Sequence, residues 1–306
     1  MGRFDELETF VQVVESGSFT AAAERLSVAK SAVSRRIADL EGRLGVQLFR
    51  RTTRRLNLTD TGRGFHGRAV RILADLEEAE LAVSQAHRTL RGTLRVAAPL
   101  TFGVRHLGPA IRDFATRHPE VIFDIDFNDR QVDLIQEGVD VAVRIARLED
   151  STLVARRLAP VRLAVVASPT FVQHHGKPRS PADLASLDCL AYSLSPEPWV
   201  WRYRAPDGSE GSVRIRSRLA ANNGDFLCAA AVAGQGVLLS PTFIVYRALA
   251  DGRLVSLLAD HEWSDVAAYA VYPRTRHLSV RVRAFVDFLV ERFAGLPYWD
   301  RDTSAA

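Results

Sequence analysis

The sequence predicts a multidomain α/β protein: a small helical N-terminal domain, one long helix, and a C-terminal domain with two α/β lobes. Three patterns predict this fold. Apolar residues recur at helical spacing near the N-terminus, an unbroken heptad pattern follows, and strand and helix patterns alternate over the remaining two-thirds. The 306 residues are enough for two or three hydrophobic cores. The predicted divisions are residues 1–60, 61–91 and 92–296, followed by a tail at 297–306.

The composition is that of a globular protein in water, with 47% hydrophobic and 25% charged residues. No uninterrupted apolar run reaches the roughly 18–20 residues that a membrane span needs, so no membrane partner is expected. Acidic residues stand near the N-terminus where a secretion signal needs an apolar stretch, and a cytoplasmic location is therefore expected.

The cysteine and histidine spacing predicts neither a metal site nor a cofactor. Cys189 and Cys228 form no CxxC pair and no zinc-binding pattern. We interpret both as small buried residues, with redox sensing as the alternative. His174 and His175 are adjacent, so their side chains diverge and make a poor metal pair.

Three short helices are predicted before residue 45. The apolar positions of residues 4–15 share one helical face, and Ser18 can cap a second helix at 20–26. A third helix is predicted at 29–44, where Gly45 stops it. Because the last two helices are joined by a tight turn, the segment is typical of a helix-turn-helix.

The outer face of the third helix is predicted to contact DNA. The polar side chains near its start, off the apolar stripe, are Lys30, Ser31, Ser34 and Arg35. Their lengths and donors suit base edges and phosphates. Nine basic and two acidic residues lie between Arg25 and Arg55, although the net charge of the chain is only +4. This concentration favours phosphate binding, and Thr20 is expected to meet a phosphate at the start of the second helix.

A basic turn between two short strands is predicted next. Leu48, Leu56 and Leu58 have strand character, and residues 50–55 between them are four arginines and two threonines. Arginine at such a tip can enter the narrow, electronegative minor groove of DNA, so we assign Arg51 and Arg54 to that contact. The helices and the strand pair together predict a winged helix-turn-helix.

Residues 4–62 resemble, without a gap, the DNA-binding domain of the LysR-type transcriptional regulators. The resemblance is carried by AAAERLSVAKSAVSRRIADLEGRLGVQLFRRTTRRLNLTDTG. Ala29 stands where those proteins often carry serine at the start of the recognition helix. The resemblance implies that two winged domains of a dimer bind an interrupted inverted repeat in double-stranded promoter DNA.

A strict alternation of four- and three-residue steps predicts a long linker helix. Its apolar positions are Phe65, Ala69, Ile72, Leu76, Ala79, Val83, Ala86 and Leu90. Such a pattern is typical of a coiled coil, so we expect the first six of these residues to hold a dimer. Packing of the helix on its own domain is the alternative. Residues 62–67 also spell GxGxxG, but the polar wing precedes them instead of a buried strand, which excludes a nucleotide loop.

Alternating strands and helices after residue 92 predict a mostly parallel sheet in each lobe. We place one lobe at about 92–161 and 267–296, and the other at about 162–266. The predicted strands are 93–98, 121–127, 139–145, 213–216, 236–239 and 267–272, with a further one near Arg162. The predicted helices are 101–117, 129–137, 225–233 and 280–293.

Candidate ligand-binding residues stand where strands end and helices begin, because ligands of α/β sheets bind there. They are Leu100, Thr101, Phe102, Arg144, Asn223 and Thr242. Free N–H groups at a helix start and an arginine both favour negative charge, so a small organic anion such as a carboxylate is expected. Purely structural roles are the alternative for Thr101 as a cap, Arg144 beside Asp140, and Asn223 in a turn. A neutral ligand or a sugar is the competing ligand class.

Residues 92–295 resemble the effector domain of the same family, which is similar to the type-2 periplasmic binding proteins. The most specific stretches are DVAVRIARLEDSTLVARRL and AAAVAGQGVLLSPTFIVYRAL. The resemblance implies a small-molecule effector in a cleft between two lobes, and dimers that pair into tetramers. It also implies that the effector changes DNA bending, with RNA polymerase as a candidate further partner.

The sequence thus predicts a transcriptional regulator without catalytic activity. It contains no GxSxG, HExxH or P-loop motif. A DNA-bound enzyme would be revealed by turnover of a bound compound. An architectural DNA-binding protein that senses nothing would have a blocked cleft.

Overall fold

The computed structural model describes residues 2–51, 56–83, 90–147, 153–263, 266–274 and 278–301. The N-terminal domain begins with three helices and a strand pair, and a long helix follows. These elements are α1 (Arg3–Ser16), α2 (Phe19–Arg25), α3 (Lys30–Leu44), β1 (Phe49–Arg51), β2 (Leu56–Leu58) and α4 (Asp60–Val83). The two strands pair antiparallel, as expected for a wing.

Capping residues set the boundaries of the first three helices. Gly17 and Gly45 adopt the left-handed backbone conformation, at φ of 62° and 69°, and end α1 and α3. The Ser18 hydroxyl accepts hydrogen bonds from two backbone N–H groups of α2. Ala29 occupies the N-cap position of α3 without a side-chain hydrogen bond. The three predicted helices are confirmed with boundaries shifted by about one residue.

The first turns of α4 belong to the core of the N-terminal domain. Ala69 is fully buried, and the rings of Phe65 and Phe10 lie 5.3 Å apart between centroids. Assigning Ala69 to a dimer seam is therefore wrong, because residues of the same chain cover it, whereas Phe65 is half-buried. Further along the helix, Ile72 is 43% exposed and Leu76 is half-buried.

The rest of the predicted seam has a mixed outcome. Ala79 and Val83 lie on α4, but their side chains are not among those described. Ala86 lies outside the described residues. Leu90 is not on the helix, and it packs against the core of the C-terminal domain instead.

Two mixed five-stranded sheets form the described part of the C-terminal domain. The strands in chain order are β3 (Gly92–Ala98), β4 (Val121–Phe127), β5 (Val141–Ala146), β6 (Leu153–Val161), β7 (Leu163–Ala167), β8 (Asp188–Tyr192), β9 (Val200–Arg204), β10 (Glu210–Arg214), β11 (Arg216–Ala221), β12 (Val237–Pro241), β13 (Val255–Leu257) and β14 (Val266–Pro273). The first sheet has the order β4-β3-β5-β14-β6, and the second has the order β11-β8-β12-β7-β13. Strands β9 and β10 form a separate hairpin.

Helices and short turns cover these sheets. They are α5 (Leu100–Phe102), a π-helical turn (Gly103–Leu107), α6 (Gly108–Arg117), α7 (Pro169–His175), a 3₁₀ turn (Pro181–Ser186), α8 (Gly224–Val232), α9 (Thr242–Ala250), α10 (Val280–Arg292) and a second 3₁₀ turn (Tyr298–Asp300). The helices predicted at 101–117, 225–233 and 280–293 are confirmed. Strand β14 and helix α10 return to the first sheet, as predicted.

The sheets are mixed, whereas the sequence pattern predicts mostly parallel ones. Strands β3 and β4 pair in parallel because the helices between them carry the chain back across the sheet. Strand β14 instead enters the first sheet on its return from the second sheet, and it runs antiparallel to both β5 and β6. The single strand predicted at 213–216 is also wrong, because β10 ends there and β11 begins.

The helix predicted at 129–137 does not form. The Asp133 carboxylate accepts hydrogen bonds from the N–H groups of Ile135 and Gln136, and Gly138 adopts a φ of 70°. A short acidic side chain that bonds to nearby backbone N–H groups offers an alternative to helix, and here it holds a series of turns. The carbonyl groups of this segment are left to accept from other parts of the chain.

Part of the predicted tail is packed. Trp299 is only 2% exposed, with its ring 4.5 Å from that of His106, and Asp300 is also buried. The division of 297–306 as a tail is therefore wrong for Trp299 and Asp300. A single apolar cluster includes Val96 and Val143 of the first sheet together with Val166 of the second. The two sheets thus share one core.

Candidate DNA-binding surface and ligand cleft

The start of α3 presents a polar row to solvent. Lys30, Ser31 and Arg35 are exposed and Ser34 is half-buried, whereas Val33 and the residues one and two turns after it face the core. Thr20 is exposed at the start of α2. The apolar stripe fixes which face of α3 is covered, so the row that the sequence predicts for DNA is the one that remains free to bind it.

Glu41 joins α3 to the wing. Its Oε1 atom accepts hydrogen bonds from the N–H groups of Leu48 and Phe49, at 2.7 and 3.1 Å. Sequence reasoning missed this role, although an acid in the last turns of an otherwise basic helix is its signal. The Arg51 backbone lies in β1 and its side chain is not described, while Arg54 lies outside the described residues.

Asp225 links the two sheets at the predicted ligand site. It stands in the first turn of α8, which packs on the second sheet. Its carboxylate accepts a hydrogen bond from the Thr101 hydroxyl at 2.7 Å and pairs with the Arg105 guanidinium at 2.6 Å. Arg105 also donates to the carbonyl of Ile244 in α9, at 3.2 Å. A carboxylate therefore already occupies the position next to Thr101.

A second carboxylate lies at the adjacent backbone group. Asp129 accepts a hydrogen bond from the Leu100 N–H at 2.8 Å. Burial and the charge of Asp225 raise the pKa of Asp129, and burial together with Asp129 raises the pKa of Tyr192 to about 12. The expectation of a free N–H group is wrong for Leu100, because Asp129 supplies its acceptor.

The remaining predicted ligand residues have structural partners. Phe102 is fully buried, and Thr242 is buried and donates to the Arg162 carbonyl at 3.3 Å, so neither faces an open cleft. Asn223 caps α8 by accepting from the Phe226 N–H at 2.9 Å. The prediction that Phe102 and Thr242 line the cleft is therefore wrong. The size of a side chain and its position at a helix start do not reveal which residues pack over it.

Arg144 holds the series of turns after β4 instead of pairing with Asp140. Its Nη2 atom donates to the Val132 carbonyl at 2.9 Å, and burial lowers its pKa. The Asp140 carboxylate accepts from the Arg95 backbone N–H at 2.8 Å. Arg144, near the end of β5, therefore fixes the backbone at Val132.

An aromatic block lies directly behind Thr101. His106 contacts the rings of Phe102, Phe243 and Trp299, with centroids 4.5–5.5 Å apart. Its Nε2 atom lies 3.1 Å from the Phe243 carbonyl oxygen, which can only accept, so Nε2 carries the proton. Nδ1 then accepts from the Tyr298 hydroxyl at 2.6 Å. The neutral imidazole satisfies both partners.

Arg105 and His106 lie in the π-helical turn, and sequence reasoning missed both. The wider turn changes the direction of consecutive side chains, and such turns are frequent at functional sites. Asp129, Tyr192 and Asp225 were also missed. Asp225 alone carried a signal, because an acid in the first turn after a capping Asn is electrostatically favoured.

Both cysteines lie in the C-terminal domain and neither forms a disulfide. Cys189 is buried and its pKa is raised to about 12, while Cys228 is half-buried with a raised pKa, both chiefly through desolvation. Within the described ranges, no three histidine, cysteine or acidic side chains cluster as metal ligands. Over the same ranges, no helix is long and apolar enough to span a membrane.

Two family models match nearly the whole chain. Residues 4–63 match the bacterial regulatory helix-turn-helix protein of the lysR family, and residues 87–294 match the LysR substrate binding domain. Among curated relatives, the transcriptional regulator CrgA of Neisseria meningitidis is 37% identical over 94% of this chain and 96% of its own length. The regulator PtxR of Pseudomonas aeruginosa is 36% identical over 96% and 94%.

Solved structures show the same architecture. The structure of CrgA, a LysR-type transcriptional regulator from Neisseria meningitidis, superposes with a TM-score of 0.60 at 36% identity, covering 95% of this chain and 99% of CrgA. Full-length AphB of Vibrio cholerae has a TM-score of 0.61 at 27% identity, covering 95% and 100%.

The fold and both sites define a DNA-binding regulator with a ligand-binding domain. The chain belongs to the LysR family of transcriptional regulators, and its C-terminal domain is the effector-binding domain. Its relatives are regulators and not enzymes, which confirms the prediction of no catalytic activity.

The buried imidazole predicts a pH-dependent stability. Burial lowers the pKa of His106 from 6.5 to about 4, so the folded protein keeps it neutral. Between those values the unfolded chain binds one more proton, so stability is fully present above pH 6.5 and falls as the pH drops toward 4. The loss should be on the order of 3 kcal/mol, from about 1.4 kcal/mol per pKa unit.

Urea unfolding across this pH range measures the effect. The His106→Gln variant should show a slope smaller by about one proton, whereas the exposed His174→Gln control should keep the wild-type slope. Equal slopes in wild type and His106→Gln would contradict a neutral buried imidazole.

Proposed function

We propose that the protein binds an interrupted inverted repeat in promoter DNA as a dimer, that dimers pair into a tetramer, and that an organic anion in the cleft changes DNA bending. The exposed polar row at the start of α3 is the observation that carries this proposal. A cytoplasmic location follows from such a function.

The DNA contact is proposed through α3, α2 and the wing. Lys30, Ser31, Ser34 and Arg35 would face the major groove, and Thr20 a phosphate. Arg51 and Arg54 would serve the minor groove from the wing. The α3 row is supported by its exposure and by the Glu41 contacts, which hold the wing at a fixed angle beside α3.

Base contacts at Ser34 and Arg35 should determine sequence preference. Each base contact is worth about 1–3 kcal/mol of discrimination, whereas phosphate contacts weaken binding to all sequences alike. Arg35→Ala or Ser34→Ala should therefore reduce the preference for a selected site over random DNA by roughly 5- to 150-fold. Affinities at fixed salt for sites selected from a random library give this ratio, with the exposed Arg112→Ala as control. A uniform loss on every DNA would contradict base contacts by α3.

The dimer is proposed through the exposed part of α4. Ile72 and Leu76 continue the heptad pattern beyond the turns that pack on the N-terminal core. A row of apolar side chains on a long helix is stabilised by a second copy of the helix. Ala79 and Val83 extend the same row in the sequence.

Charge at the seam should dissociate this dimer. Leu76→Asp would bury an unpaired carboxylate at a cost of several kcal/mol, so sedimentation velocity should show a shift toward monomer. Ala74→Asp introduces the same charge at an outer heptad position and should leave the dimer intact. If both variants sediment alike as dimers, α4 does not hold the subunits together.

Tetramer formation is proposed through the C-terminal domains. Edge strand β4 exposes Asp124 and Asp126, and edge strand β11 exposes Arg216 and Arg218. In a two-fold arrangement each acidic edge would face the basic edge of the other copy. The opposite charges on the two edges support this pairing.

The anion is proposed to compete with Asp225. Thr101 and Arg105 already bind a carboxylate of the chain, which supports a site suited to that group. Thr101 is buried and the side chain of Asp225 beside it is 37% exposed, so a ligand would reach the Thr101 hydroxyl only when Asp225 moves aside. Arg144 remains a candidate second cation.

Anion affinity should respond in opposite directions to two substitutions. Thr101→Val removes the hydroxyl donor and keeps a side chain of similar volume. It should weaken anion binding about tenfold or more, as for other hydrogen bonds to charged groups. Asp225→Asn removes the competing charge and should tighten anion binding. Calorimetry against a panel of small carboxylates and their neutral amides measures both effects. Amides that bind as tightly as the acids would contradict an anionic effector.

A further inference from the structure

Residues 128–140 form a turn segment that reaches the ligand site at one end. Asp129 accepts from the Leu100 N–H at 2.8 Å, next to the Thr101–Asp225 pair. The Val132 carbonyl accepts from Arg144 at 2.9 Å. Any ligand that displaces Asp129 or reorients Arg144 moves the backbone of this segment.

The other end of the turn segment contacts the long helix α4. Arg71 donates to the carbonyls of Leu134 and Val139. Gly67 lies so close that a Cβ atom added to it would be 2.6 Å from the Gln136 carbonyl oxygen. The two backbones therefore touch directly, and glycine at this position is what permits the approach.

A third contact joins the turn segment to α1. The Asp140 carboxylate and N–H bond to the backbone N–H and carbonyl of Arg95, at 2.8 and 3.0 Å. The Arg95 guanidinium in turn pairs with Glu15 of α1 at 3.5 Å. Helix α4 thus meets the turn segment directly, whereas α1 meets Arg95 of β3, to which the turn segment is hydrogen-bonded.

The turn segment has little regular structure of its own. Glu137 donates to the Asp133 carbonyl in a single helical turn, and Val139 donates to Leu134. Three of the anchoring hydrogen bonds described above come from the side chains of Arg71 and Arg144, and the others use Asp129 and Asp140 of the segment itself. Its Val132, Leu134 and Val139 side chains are buried in an apolar cluster with Ala97, Ala142 and Val271, so a displacement at one end of the segment is passed on through packed side chains to the other end.

We propose that residues 128–140 couple the ligand site to the DNA-binding domain through the Gly67–Gln136 contact. A ligand at Thr101 then changes the position of Asp129, and with it the position of α4. This inference rests on the proposed function. Because coupling between binding sites is reciprocal, DNA binding must change the ligand site by the same factor, so no effector is needed to test it.

Hydrogen exchange of the full-length protein tests the coupling. Exchange is measured with and without a DNA fragment that the protein selects from a random library. In the wild type, DNA should change protection of residues 128–140 and of 99–102 by about fivefold or more. Gly67→Ala should abolish that change, because its methyl group would collide with Gln136. Gly64→Ala is the matched control, since a Cβ at Gly64 meets nothing within 4 Å and raises helix propensity equally.

A second pair of variants covers the case in which Gly67→Ala does not fold. Arg71→Met removes the donor to Leu134 and Val139 but keeps an apolar stem, and Arg68→Met is its exposed control. Arg71→Met should also abolish the change, and Arg68→Met should preserve it. The inference is overturned if DNA leaves both segments unchanged in the wild type, or if Gly67→Ala or Arg71→Met retains the full response. A wild-type protein that selects no DNA sequence would instead refute the proposed function.

Discussion

The aromatic block behind the ligand site is the interaction on which the effector-binding domain depends. Phe102 and His106 follow the first strand of one sheet, Phe243 follows a strand of the other, and Trp299 closes the block from the chain end. Because this block is buried, the two sheets are fixed against each other on one side. Thr101 precedes Phe102 directly, so the packing of that ring also sets where the Thr101 hydroxyl meets Asp225.

Local features were predictable from the sequence, and contacts between distant residues were not. Ser18, Gly17 and Gly45 act through their immediate neighbours, so the helices of the N-terminal domain follow from spacing and caps. The rule that ligands bind at strand ends selected Leu100 and Thr101 as candidates. It could not supply Asp225, which meets Thr101 only after the chain has crossed to the other sheet.

Two errors have different physical causes. In the first, periodicity shows that a helix face is covered but not what covers it. The heptad spacing from Phe65 onward is regular, yet Ala69 packs on its own domain while Ile72 remains exposed. A helix was expected at 129–137, but the Asp133 carboxylate accepts hydrogen bonds from the N–H groups of Ile135 and Gln136, which favours turns. A tertiary contact decided the first case and a local side-chain hydrogen bond the second.

Helix α4 contacts the wing and the turn segment in succession before its exposed turns begin. Two of its glycines permit the first two contacts. Gly62 lies against the wing, where an added Cβ would be 2.2 Å from the Leu48 carbonyl oxygen, and Gly67 lies against the turn segment. The first and last glycines of the GxGxxG sequence at 62–67 are therefore two points of close backbone packing. Since the remaining turns carry the exposed Ile72, one rigid helix connects the wing, the effector-binding domain and the proposed second subunit. In the proposed dimer, a small shift of α4 at Gly67 would change the spacing between the two recognition helices.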